Sequence, residues 1–306
     1  MKMSLSNISS GVEKQPVLAL IFAPEGVGKT TFGADAPGTV FMDVEGGSHF
    51  LNTKRFPKPD KLQDVYDGIE QLMTQPHDYK TLVVDTVDEL ERLVWEHCCT
   101  RDGKSSIEDY GFGRGYKEAQ KEWVTLRNKL TDLQLATRMN IVLLGHAAVK
   151  TSKDPQMVDH DQFILRVHGS SASILKEWVN AVGFANHEAI IVQKDKDDKS
   201  TNKVLSYTGK RKLYFQRSKG YEAKTRFKSL EKPMDFKWSE FYTRYQEAYE
   251  DKCAPLREEA YNLCDKLSEE QVKTKGEAIT VAIKTADDPQ TLENIVGRLK
   301  QMVEDK

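Results

Sequence analysis

The segment Ala23-Pro24-Glu25-Gly26-Val27-Gly28-Lys29-Thr30 constrains this chain more than any other. It follows the apolar, β-branched run Val17 to Phe22 and precedes a stretch of helical character, which is the strand, loop and helix order of a P-loop. Gly26 and Gly28 let the backbone curl until consecutive N–H groups face one point, where Lys29 adds a positive charge and the helix start adds its dipole. Such a point holds the phosphates of a nucleotide, and the Thr30 hydroxyl can ligate the accompanying magnesium. The predicted nucleotide contacts are Pro24, Glu25, Gly26, Val27, Gly28, Lys29, Thr30 and Thr31. The pattern's first glycine is Ala23 here, at a position that shapes the turn without touching the ligand.

A P-loop needs a sheet around it, and the sequence from Val17 to Gly145 supplies one. Short apolar runs at Val17–Phe22, Thr39–Asp43, Thr81–Asp85 and Ile141–Gly145 alternate with amphipathic segments at Lys29–Asp35, Leu62–Thr74, Asp88–Cys99 and Lys117–Thr137. That alternation predicts an α/β fold with a mainly parallel central sheet. In the last of these segments Trp123, Leu126, Leu130 and Leu133 fall near one helical face. Two connections, Thr100–Tyr116 and Val149–Ser171, are too long for plain turns and read as functional loops. A helix is expected at Ser173–Val179, followed by antiparallel strands at Ala181–Asn186, Ala189–Gln193, Val204–Tyr207 and Leu213–Phe215, with Lys194–Lys203 as an exposed hairpin tip. Beyond Met234 the chain turns helical: Ser268 to Gln271 fits a capping box, and Asp288-Pro289 fits an N-cap followed by proline. The expected division is a flexible N-terminus over 1–14, a core over 15–235 and a helical extension over 236–306.

Composition excludes several classes. With 45 Lys and Arg against 47 Asp and Glu the net charge is −2, so the chain is no uniformly basic nucleic-acid binder. No stretch reaches the roughly 20 apolar residues of a membrane span. The polar start Met1–Gln15 lacks the apolar centre of a signal peptide, which points to the cytosol. Cys98, Cys99, Cys253 and Cys264 show no metal-ligand spacing and read as reduced thiols.

Acids at strand ends complete the predicted site. Asp85 closes Thr81–Asp85 and, with Thr30, is the magnesium candidate. Glu45, just past Thr39–Asp43 and before Gly46-Gly47, is the candidate base for hydrolysis, with Asp43 in support. At this point Val-Phe-Met-Asp-Val-Glu (40–45) and Leu-Val-Val-Asp-Thr-Val-Asp-Glu-Leu (82–90) resemble the corresponding strands of RecA-like recombinases. With Leu143-Leu144-Gly145-His146 and Tyr221 to Phe227, the chain is similar to the phage-encoded AAA-type nucleotide-binding proteins, a RecA-like group that includes single-strand annealing proteins. The resemblance spans roughly 15–235 and implies a RecA-like P-loop NTPase core. It implies ATP and Mg2+ as ligands, Glu45 as catalytic glutamate, Asp85 as the magnesium-site aspartate and His146 as the γ-phosphate sensor. It also implies that the two long loops contact DNA, through Arg114, Lys117, Lys150, Lys153 and Arg166, although Asp154, Asp159 and Asp161 dilute the second loop.

One clear basic concentration lies at Lys210–Lys228, where Lys210, Arg211, Lys212, Arg217, Lys219, Lys224, Arg226 and Lys228 are interleaved with Tyr214, Phe215, Tyr221 and Phe227. Such a mixture suits single-stranded DNA, with Arg217 and Lys219 as contacts; equally it suits a solvated strand face whose aromatics belong to the core. In RecA-like assemblies basic residues also reach a neighbouring subunit's phosphate, a role expected of Lys224 or Arg226. These features together predict an ATPase that self-assembles on single-stranded DNA and promotes annealing or recombination. The rival readings are a P-loop phosphotransferase on a small molecule, and an adaptor that loads another replication or single-strand-binding protein through the C-terminal helices.

Overall fold

The computed structural model describes residues 14–153, 158–193, 203–267, 269–286 and 289–304. Strand β1 (Leu18–Ala23) runs into the P-loop and helix α1 (Lys29–Ala34), then β2 (Thr39–Asp43), β3 (Lys54–Arg55), α2 (Leu62–Thr74), β4 (Thr81–Asp85), α3 (Val87–Asp102) and α4 (Arg114–Thr137). There follow β5 (Asn140–Ser152), β6 (His160–Leu165), α5 (Gly169–Trp178), β7 (Ala181–Gln193), β8 (Lys203–Tyr214), β9 (Lys224–Thr225) and β10 (Met234–Asp235). The described chain ends in α6 (Trp238–Cys264), α7 (Glu269–Thr285) and α8 (Pro289–Glu304).

The sheet order is β10-β8-β7-β1-β5-β4-β2-β3, with β7, β1, β5, β4, β2 and β3 parallel, β8 antiparallel to β7 and β10 antiparallel to β8. Every residue of β1, β2 and β4 is buried because both sheet faces are covered, which is why these strands read as continuous apolar runs. On one face α2, α3 and α4 pack together, α2 through Leu62, Val65, Tyr66, Ile69 and Leu72 and α4 through Trp123, Leu126, Leu130 and Leu133. Each such side chain contributes roughly 1.5–3 kcal/mol by leaving water. On the other side of β1, Phe32 of α1 stacks on Phe236 and meets Trp238 and Phe241. The end of the sheet opposite the P-loop is tied by Asn140: its side-chain oxygen accepts from the Val17 amide at 2.9 Å and its amide donates to Thr81 Oγ1 at 3.3 Å.

The mainly parallel sheet is as expected, and three local expectations are corrected. Val149–Ser171 is no open loop: β5 runs on past the core to Ser152 and pairs antiparallel with β6, Lys150 opposite Gln162. Thr100–Tyr116 is largely helical, comprising the end of α3, a 3-10 turn at Ile107–Tyr110 and the start of α4. The runs Ala181–Asn186 and Ala189–Gln193 form one strand, β7, joined through an irregularity at His187/Ala189, and it lies parallel to β1 while its partners β8 and β9 are antiparallel to it. The hairpin tip at 194–202, Ser268 of the capping box and Asp288 of the N-cap lie outside the described residues.

Two compact units divide between Tyr242 and Thr243. The first, Pro16–Tyr242, holds the sheet. In the second, Cys253, Ala260, Leu267, Ile283, Leu292, Val296 and Leu299 form a separate apolar cluster, so the stripe on α8 is covered by its own helical neighbours. Among the described residues no helix is long and apolar enough to cross a membrane. The four cysteines are free thiols.

Candidate functional site

The P-loop leaves β1 with two glycines in the left-handed region, Gly26 at φ 74° and Gly28 at φ 98°, so a side-chain-bearing residue at either position would be strained. Lys29 is only 6% exposed, and its ammonium donates to the carbonyls of Ala23 and Pro24 at 3.4 and 3.3 Å. Burial lowers its pKa, while Asp85, Glu45, Asp88 and Glu25 oppose the shift. A cation held among carbonyls and acids at a buried loop is poised to exchange those carbonyls for phosphate oxygens.

Thr30 and Asp85 meet across the loop. The Thr30 hydroxyl donates to Asp85 Oδ2 at 2.7 Å, and Asp85 Oδ1 is buried with no partner. Burial, together with the nearby Glu45 and Asp43, pushes the Asp85 carboxyl up to about 6 in spite of the Thr30 bond and the Lys29 charge. A carboxylate oxygen left unsatisfied beside a hydroxyl is the donor set a hard cation takes, so these residues fit magnesium and its water shell.

Glu45 is aimed by its neighbours. The amides of Val44 and Glu45 donate to the Asp85 carbonyl at 2.8 and 3.0 Å, fixing the end of β2 against β4. Asp43 then folds the next turn by accepting from the amides of Gly46, Gly47 and Ser48 and from the Ser48 hydroxyl. Burial raises the Asp43 pKa, but these bonds outweigh it and hold the carboxyl below its ordinary range. Asp43 therefore builds the turn and Glu45 projects from it, its side chain 42% exposed and Oε1 3.8 Å from His146 Nε2.

His146 sits where β5 leaves the core. Its backbone amide donates to Asp88 Oδ1 and its Nδ1 bonds Asp88 Oδ2, both at 2.9 Å. Arg166 shares Asp88 Oδ2 at 2.9 Å and reaches Glu25 of the P-loop at 3.4 Å. Together Glu25, Gly26, Gly28, Lys29, Thr30, Thr31, Glu45 and His146 surround a cavity of about 390 Å3, with Phe50, 95% exposed, also lining it.

The residues predicted for DNA separate. Lys150 on β5, Arg217 and Lys219 come to one ribbon, because Gln162 of β6 donates to the Ser218 carbonyl at 3.1 Å and Phe163 exchanges backbone bonds with Gly220 and Glu222. Lys153 is exposed just beyond β5. Arg114 and Lys117 are exposed on the first turn of α4, with Arg114 6.0 Å from the ring centroid of Phe112, which is 99% exposed. Arg166 lies beside the P-loop, bonded to Asp88 and Glu25. Lys224 and Arg226 serve α5: Lys224 donates to the carbonyls of Lys176, Glu177 and Val179, and Arg226 to Glu177 and Asn180. The aromatics of the basic segment belong to the core: Phe215 is buried, and Tyr221 stacks on Phe184 and tilts against Tyr214.

Three contributors escape sequence reasoning. Asp88 lies three residues past Asp85, in the first turn of α3, a spacing that could have flagged it. Arg211 donates to the Val27 carbonyl at 3.0 Å and packs on Gly28, where a Cβ would collide with its Nη1; only the pairing of β7 with β8 brings it there. Phe50 follows from the turn that Asp43 builds, for which no local pattern exists. A family model described as an AAA domain matches residues 15–227 of the chain. No curated protein matches it.

Proposed function

The chain belongs to the AAA-domain family of P-loop NTPases, and from that premise we propose that it is a magnesium-dependent ATPase whose turnover governs its hold on single-stranded DNA. The observation that carries the first half is the convergence of Lys29, Thr30, Glu45 and His146 on one cavity, with Asp85 bonded to Thr30 behind it. Lys29 and the loop amides bind the triphosphate, and Thr30 and Asp85 hold the cation, which offsets phosphate charge when bound. Glu45 lines the same cavity and orients the attacking water as base. The turn built by Asp43 fixes the backbone that follows Glu45.

The DNA half rests on continuity. The hairpin of β5 and β6 springs from His146, carries Lys150, and is flanked by the segment bearing Arg217 and Lys219. A strand of phosphates laid on this ribbon touches a surface whose base is the phosphate site. Phe112 with Arg114 offers an aromatic face and a cation for a base and its phosphate. Self-assembly, annealing or recombination, phage origin and work in the host cytosol belong to the same reading, by the RecA-like resemblance of residues 40–45 and 82–90. The C-terminal helices would then meet a single-strand-binding or replication protein.

Binding of a fluorescent ATP analogue and of a labelled oligonucleotide, each with and without magnesium, tests both halves. Nucleotide binding that needs Lys29, and oligonucleotide binding that falls with salt and changes with nucleotide, are expected. Absence of salt-sensitive oligonucleotide binding in every nucleotide state would reject the DNA role and leave an NTPase with another partner.

A further inference from the structure

Resting on that reading of a bound triphosphate, we propose that the nucleoside lies in a second cavity, on the other side of the P-loop from Glu45, with its base laid flat on the guanidinium of Arg211. The direction of the triphosphate comes first. Its terminal phosphate faces Glu45, because the attacking water is oriented there. Glu45, Gly47, Phe50 and Leu51 reach the phosphate cavity from the end of β2. In the sheet β2 and β8 lie on opposite sides of β1, the strand that runs into the P-loop. A triphosphate drawn along Lys29 with its terminal end toward β2 therefore carries its first phosphate, and the nucleoside attached to it, toward β8. Phe50 is exposed on the rim of the phosphate cavity but stands at the wrong end to take the base.

Arg211 stands at the right end. Register fixes its height: Phe184 of β7 is level with Phe22 of β1, and His187, three residues on, is level with Arg211 of β8. Arg211 is thus beyond the carboxyl end of β1, at the level of the P-loop, where it bonds the Val27 carbonyl and fills the space over Gly28. Gly28 borders the phosphate cavity. On its other side Arg211 lines a cavity of about 330 Å3 with Gly209, Lys210, Asp235, Phe236 and Lys237. One side chain therefore joins the two spaces. Asp235, the acid in this second cavity, is already bonded to Lys212 at 2.8 Å, whereas among the described residues no carboxylate pairs with Arg211. Phe236 is buried and stacked on Phe32, which leaves the Arg211 guanidinium as the planar group the cavity offers. A guanidinium attracts the π face of a base laid on it, and its charge favours the phosphate next to that base.

Calorimetric titration of the full chain, with magnesium, compares the non-hydrolysable imido analogue of ATP with inorganic tripolyphosphate in the wild type, Arg211→Ala and Arg211→Lys. The wild type is expected to bind the analogue about 10-fold or more tighter than tripolyphosphate. In Arg211→Ala that advantage should fall about 10-fold. Because the ratio is read, a general weakening of the P-loop cancels. Arg211→Lys keeps the charge and loses the plane, so the advantage should fall nearly as far. An advantage that survives in either variant, or a wild type that holds tripolyphosphate as tightly as the analogue, overturns the proposal. Photolabelling of the wild type with an ATP analogue bearing an azide on the base needs no variant to fold. Label that ATP competes away is expected in peptides holding residues 209–211 or 235–237, and label at Phe50 instead overturns the proposal. A wild type that binds neither ligand would overturn the functional reading on which the proposal rests. One that binds both equally keeps the phosphate site and loses only the nucleoside cavity.

Discussion

The phosphate end of the sheet and the basic segment 210–228 are both rich in charge, yet their charges are used in opposite ways. At the P-loop, Lys29 opens α1, Asp85 ends β4 and Glu45 follows β2, and each is placed by backbone geometry that the motif spacing already encodes. In the basic segment the spacing encodes little. Lys212 is paired with Asp235, Lys224 and Arg226 close the end of α5, Arg211 rests on the P-loop, and Lys210, Arg217 and Lys219 are exposed. A run of cations is thus a composition, whereas a glycine-framed lysine is a geometry. The first becomes a surface only after long-range pairing has assigned each side chain a neighbour.

The largest effect separating the two regions is expected from Lys29→Ala. Removing the one buried cation of the cradle should weaken ATP binding by about 100-fold or more, read by titration of the fluorescent analogue, while oligonucleotide binding without nucleotide is unchanged. Equal losses of both would mean that the regions are one site. Glu45→Gln comes next: turnover should fall about 100-fold with nucleotide affinity retained, and unchanged turnover would remove Glu45 from the mechanism.

Asp85→Asn sharpens the comparison from the side of stability. The folded-state pKa of Asp85, about 6, lies above the ordinary 3.8. The folded state thus binds a proton more readily than the unfolded chain, and wild-type stability rises as pH falls from above 6 toward 4. At pH 7 without magnesium the buried carboxylate costs up to about 3 kcal/mol, so the asparagine variant should melt higher there and lose its advantage near pH 4. Thermal unfolding across that range checks the sign; a variant that melts lower at pH 7 contradicts it. The smallest effect is expected on the ribbon. Lys150→Ala with Lys219→Ala should lower oligonucleotide affinity and flatten its salt dependence by a slope of about 1.4 for two lost phosphate contacts, leaving ATP turnover without DNA as it was. An unaltered slope would move the DNA path elsewhere.

Much of the core was legible because local rules and the fold agree. Thr39–Asp43, Thr81–Asp85 and Leu62–Thr74 have the predicted bounds, since short β-branched runs and a stripe such as Leu62, Val65, Tyr66, Ile69 and Leu72 leave few alternatives. The β5 and β6 hairpin was not legible: its outer half, from Ala147, carries the polar mix of a loop because little covers it, and pairing alone makes it a strand. Arg166 shows the same limit within the site. Nothing near it in sequence announces Asp88 or Glu25, 78 and 141 residues away, and only the fold brings the three together.

The central claim is that Lys29, Thr30 with Asp85, and Glu45 form a single working site for a triphosphate and its cation. Single-turnover hydrolysis of ATP by the purified full chain, measured across a magnesium titration in the wild type and in Glu45→Gln, tests it most directly. The account predicts magnesium-dependent cleavage in the wild type, and in the variant a bound but uncleaved nucleotide. Cleavage that persists in Glu45→Gln, or that ignores magnesium, would contradict it.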